Sequence, residues 1–117
     1  MLSNRKLCDM NFARTRVGGD PDLLRQIVEI VHADMPDVLN RLRAAVANGN
    51  RNDLLRAVHS LQGMLVTFDA EAALSALRSL AEMEQAGEMS ASKEALHDFE
   101  EEVSRFDGEL SAELERR

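Results

Sequence analysis

Apolar residues along this chain recur three and four positions apart and never alternate at period two for long, so the pattern predicts helices and no strand. Asp9 is placed to cap a short first helix ending at Gly18. Asp20-Pro21 then supplies a cap followed by proline at the first helical position of a second helix. That helix is expected to turn Leu23, Leu24, Ile27, Ile30 and Val31 inward. Pro36 lacks the backbone donor and disfavours helical geometry at Met35, so it is expected to interrupt the helix with a break or a kink. Val38, Leu39, Leu42, Ala45 and Val46 form the next buried face, closed by Asn48-Gly49-Asn50, a stop followed by a cap. From Asn50 onward Leu54, Leu55, Val58, Leu61, Leu65 and Phe68 make one stripe with Val66 near its edge, which carries the helix through Gly63. Asp69-Ala70 opens another helix, with Ala73, Leu74, Leu77, Leu80, Ala81 and Glu84 along it, closing at Gly87. Ser90 is expected to cap the last helix, which buries Leu96, Phe99, Val103, Phe106 and Leu110 and turns Glu100, Glu101, Glu102, Asp107 and Glu109 to solvent. Short connections favour antiparallel neighbours. The expected fold is all-α: an antiparallel up-down four-helix bundle with one or two additional short N-terminal helices, a single domain over 1–117 with its core roughly at 9–115.

Composition narrows what such a bundle can do. The 117 residues are enough for one core without disulfides, and the chain holds four Phe, no Tyr and no Trp, which suits closely packed helices. A formal charge of -7 with no cluster of Lys and Arg argues against a nucleic-acid partner and against an anionic membrane surface. No stretch has the apolar length of a membrane span and Met1 to Phe12 lacks a signal segment, so the expected location is cytoplasmic and the expected state a monomer. Cys8 is the single cysteine and reads as incidental. Gly-rich phosphate loops, nucleophile elbows and useful Cys-His spacings are missing, so no catalytic motif emerges.

Two constellations carry candidate chemistry. Glu29-Ile30-Val31-His32 and Glu94-Ala95-Leu96-His97 have the spacing that holds paired metals in some four-helix bundles. At 100° per residue Glu29 lies about 180° and Glu94 about 160° from its own apolar centre, so both carboxylates face water, and no metal site is expected. The stronger constellation is His59 followed one turn later by Gly63. His59 lies roughly 110° from the centre of its stripe, at the boundary of core and solvent. Gly costs a helix about 1 kcal/mol relative to Ala, so Gly63 calls for a reason: either close helix packing, or clearance for a group approaching the imidazole. Imidazole in water titrates near about 6.5, leaving most of it neutral and nucleophilic at pH 7.

The run Val58-His59-Ser60-Leu61-Gln62-Gly63-Met64-Leu65-Val66-Thr67-Phe68-Asp69-Ala70 resembles the histidine-containing phosphotransfer (HPt) domain family, whose motif is Ala-His-x-Leu-Lys-Gly, then small residues and an aliphatic-Gly-Ala ending. His59, Leu61, Gly63 and Ala70 match in register. Val17-Gly18-Gly19-Asp20-Pro21-Asp22-Leu23-Leu24 is similar to the family's approach to its second helix, and Glu84-Gln85-Ala86-Gly87 to its late turn, so the resemblance covers most of the chain from Asp9. Val58, Gln62 and Asp69 depart from it, standing where the family has a small residue, Lys and Gly. An exposed charge pair is worth about 0.2–1 kcal/mol, so the change to Gln62 tunes phosphohistidine stability by less than roughly tenfold, and Arg56 is placed to supply the missing charge.

The resemblance implies a phosphoryl carrier in a two-component phosphorelay, not an autonomous catalyst. His59 accepts from a receiver-domain phosphoaspartate through Nε2 and passes the group to another receiver. It implies response-regulator receiver domains and a hybrid sensor histidine kinase as partners, no cofactor bound by this chain, and Mg²⁺ held by the receiver. Gln62, Gly63 and Arg56 are the expected phosphate neighbourhood, and Asn52, Leu55, Val66 and Thr67 the expected docking contacts. Leu55 is alternatively core. The other reading is a pseudo-HPt adaptor that docks receiver or kinase domains without carrying phosphate. Met1 and the full span of helices favour a whole protein over a module cut from a sensor kinase.

Overall fold

The structure, a computed structural model, describes residues 6–116, leaving aside the side chains of Met89 and Ser90. Five helices account for nearly all of it: α1 (Met10–Arg16), α2 (Pro21–Asn48), α3 (Arg51–Thr67), α4 (Glu71–Ala86) and α5 (Met89–Glu115), with no strand among the described residues. Local chemistry sets the ends. Asp9 accepts from the Phe12 amide, Asp20 from the amides of Asp22 and Leu23, and Asn50 from the Asp53 amide. Gly49 and Gly87 end α2 and α4 in the left-handed conformation. α1 stops two residues before the expected Gly18. α5 begins at Met89 with Glu88 in the cap position, so the cap expected at Ser90 falls one residue inside the first turn.

Two- and three-residue connections fold α2 through α5 into an antiparallel ring, in which α3 packs on α2 and α4, and α5 packs on α4 and returns to α2. The long axis of 45 Å is about the length of α2, 28 residues at a rise of about 1.5 Å. α2 is one helix through Pro36, so of the break or kink expected there the break does not occur. Proline inside a helix costs about 3 kcal/mol, whereas each fully buried aliphatic side chain returns about 1.5–3 kcal/mol, and Val31, Met35, Val38 and Leu42 are all buried around it. Pro36 itself is on the exposed side, where the carbonyl it leaves unpaired can be hydrated.

An unbroken register changes which side chains of α2 point inward. Leu24, Val28, Val31 and Met35 form the stripe, while Leu23 is exposed and Ile30 is 58% exposed, contrary to their expected places in the core. In α5 Phe99, Val103, Phe106 and Leu110 are buried as expected, with Leu96 packed at the edge. Three of the acidic residues assigned to solvent are placed otherwise. Glu102 is buried, Glu100 pairs with Arg43 of α2, and the Asp107 carboxylate lies 2.7 Å from His32 Nδ1, also of α2. His32 is thereby a half-buried tie between α2 and α5.

Phe68 closes the end of α3 against Phe106 of α5, with ring centroids 5.5 Å apart at 61°. Both rings are fully buried. Phe106→Ala should cost about 3–5 kcal/mol, a large share of the 5–15 kcal/mol typical of a domain, and urea denaturation reads it directly as a lowered midpoint.

The segment before α1 crosses the α3–α4 turn. Its Asp9 amide donates to the Phe68 carbonyl at 2.8 Å, and the Ala72 amide donates to the Lys6 carbonyl at 3.1 Å. Asp69 sits in that turn at φ 50, a left-handed conformation that favours glycine, which is the residue the resemblance places there. Its carboxylate accepts from Lys6 Nζ at 2.9 Å, and that hydrogen bond holds the ammonium pKa above its ordinary value. Cys8 is half-buried beside α1, and burial, aided by Glu109, Asp9 and Glu113, pushes its thiol up to about 11. At pH 8 its thiolate is then about one part in a thousand, and alkylation by iodoacetamide should run more than roughly a hundredfold slower than for free cysteine.

Candidate functional site

α3 is where the sequence placed its chemistry. The buried face of α3 is Leu54, Ala57, Val58, Leu61 and Leu65. Leu55, assigned to that stripe, is instead 45% exposed. Ala57 takes its place, which swings the core face away from His59. The imidazole now lies roughly 145° from the centre of the buried face at 100° per residue, further out than the boundary position expected. His59 is exposed and has no hydrogen-bond or ion-pair partner among the described residues. Both ring nitrogens are therefore open to an incoming group.

Around it the helix presents one continuous strip. Leu55 stands one turn before His59, Gly63 one turn after, and Val66, 42% exposed, two turns after. Asn52 and Arg56 are exposed, and Gln62 and Thr67 are half-buried. Arg56 makes no ion pair among the described residues, so its guanidinium charge is uncommitted three residues before the imidazole. Thr67 Oγ1 donates to the Gly63 carbonyl at 2.9 Å and is thus partly spent on its own helix.

Gly63 decides between the two reasons a helix keeps a glycine. A Cβ added there would meet nothing within 4 Å, so close helix packing is not the reason. The space is open to solvent beside the ring. Gly108 in α5 is equally open, but no imidazole stands one turn from it. Sequence reasoning missed two exposed apolar residues on the neighbouring helix, Leu23 and Ile30 of α2. Their separation of seven residues, one face of a helix, was the available signal.

The Glu-x-x-His pairs do not converge. Glu29 is exposed and pairs with Arg25 at 3.2 Å, and His97 Nε2 lies 3.1 Å from Glu101 on the surface of α5. No group of three or more His, Cys, Asp or Glu among the described residues is arranged to hold a metal ion. No helix among the described residues is long and apolar enough to cross a membrane.

Neither a curated protein nor a solved structure matches the chain. The family model described as Hpt domain matches residues 26–116, taking in α3, α4 and α5 and most of α2, while α1 and the similar run at Val17–Leu24 lie before the match. With more than half of its length matched and an all-helical bundle to go with it, the chain belongs to the Hpt domain family, the phosphotransfer modules of two-component signalling that work with receiver domains and kinases.

Proposed function

We infer that His59 is the phosphoryl-accepting residue of this chain and that the strip from Asn52 to Thr67 is where a receiver domain docks. The observation that carries this is the pairing of an exposed, unpartnered imidazole with an uncovered glycine one turn away. In the forward step the lone pair of Nε2 forms the N–P bond as the P–O bond to the receiver's aspartyl carboxylate breaks, regenerating the carboxylate. The reverse exchange loads the next receiver. This chain supplies the nucleophile and the clearance, while the receiver brings Mg²⁺ and the groups that stabilise charge on the transferring phosphoryl.

Arg56 and the Gln62 amide are the donors placed to meet phosphate oxygens once the ring is loaded. Leu55 and Val66 bracket the ring with apolar surface. The site works as a carrier because nothing among the described residues orients or deprotonates the ring, so transfer waits for the partner.

Incubation with a panel of phosphorylated receivers tests this reading. The account expects acid-labile label on the chain with at least one receiver and loss of label from that receiver. Binding without label across the panel supports the adaptor reading, in which Gln62 and Asp69 mark a bundle that docks receivers or kinases and carries nothing.

A further inference from the structure

A groove of about 400 Å³ runs between α4 and α5, on a side of the bundle that α3 does not border. Its α4 wall is small over most of its length: Ala72, Ser75, Ala76 and Ser79 follow one another at helical spacing before Met83, so a ligand's backbone can come close along that stretch. Its α5 wall is acidic, carrying Glu94, Asp98, Glu101 and Glu102, and no Lys or Arg lines it.

Glu102 makes this more than an acidic surface. The residue is 8% exposed, yet it has no hydrogen-bond or ion-pair partner among the described residues. No side-chain oxygen among those residues is sealed from solvent without a partner, so the Glu102 carboxylate must reach water, and the groove is the opening it lines. The carboxylate meets solvent only through the groove, so a cation that enters the groove comes directly against it. Glu94, Asp98 and Glu102 also stand at successive four-residue intervals, where like charges on one helix repel by about 0.2–0.5 kcal/mol per pair. The other edge of α5 differs. There Glu100 meets Arg43 and Asp107 meets His32, both from α2. One acidic edge of the helix is partnered across to α2, whereas on the groove edge only Glu101 has a partner among the described residues, His97 of the same helix.

We propose that the α4/α5 groove docks a basic helical segment of a partner protein, whose Lys or Arg side chains at four-residue spacing reach Glu94, Asp98 and Glu102. The small α4 wall lets that helix lie close, and the Glu102 carboxylate takes the deepest cation. The groove uses no residue of the α3 strip, so it stands whether or not His59 carries phosphate, and it leaves that strip uncovered.

The test uses the full chain and a fluorescein-labelled alanine-based peptide with three arginines, each four residues from the next, read by fluorescence anisotropy. A second peptide of the same composition carries its arginines consecutively. The spaced peptide should bind at least about tenfold more tightly at about 0.15 M salt, and Glu102→Gln should weaken it about tenfold while Glu109→Gln, away from the groove, leaves it unchanged. Ser79→Arg, at an exposed position, should block the groove to the same degree and keeps the test decisive if Glu102→Gln perturbs the fold. Equal binding of the two peptides, undiminished binding by Ser79→Arg, or equal displacement by spermine at matched charge would each overturn the proposal in favour of unspecific attraction to an acidic protein.

Discussion

His59→Gln is expected to leave no detectable acid-labile label after incubation with a phosphorylated receiver, while the variant stays folded and binds that receiver within a few-fold of the parent. Glutamine keeps a polar side chain at an exposed site, so stability should move by no more than about 0.5 kcal/mol. What it removes is the only nitrogen lone pair on the strip able to form an N–P bond. The other two histidines are poor substitutes, since His32 is engaged by Asp107 between α2 and α5, and His97 lies in a pair with Glu101 on α5, away from α3. Undiminished label on a folded His59→Gln chain would show that the acceptor has been assigned to the wrong residue.

Gly63→Arg should act in opposite directions on stability and on transfer. The backbone there is helical and a Cβ meets nothing, so the larger residue gains helix propensity of up to about 1 kcal/mol and the melting temperature should hold or rise. Transfer should fall by about a hundredfold or more, because a guanidinium stem one turn from the ring keeps the phosphoryl donor from in-line approach, and misplacement by about 1 Å already costs on that order. Rapid-quench phosphotransfer beside a thermal melt measures both. Unchanged transfer by the stable variant would mean that the open space beside His59 serves no steric purpose.

Most of the architecture could be read from the chain because its punctuation is local. Asp9, Asp20 and Asn50 cap, and Gly49 and Gly87 stop, for reasons contained within a few residues. What could not be read depends on register and on neighbours. Treating Pro36 as an interruption restarts the helical count and sends Leu23 and Ile30 inward, whereas the packing of Val31, Met35 and Val38 carries one register straight through it. Leu55 looked like core because apolar residues were counted ahead of Ala57, although a small residue can face a close helix where leucine would not fit. Glu102 was legible in principle: it lies three residues after Phe99 and four before Phe106, on their side of the helix, and only its charge argued for solvent. The candidate site fared better, because exposure of His59 and clearance at Gly63 follow from position on one helix.

The most direct measurement of the central claim is mass-spectrometric localisation of the phosphoryl group, under alkaline conditions, after loading the chain from a phosphorylated receiver. The account predicts the group on His59 and neither on His32 nor on His97. Modification of either of those two with His59 left bare would contradict it.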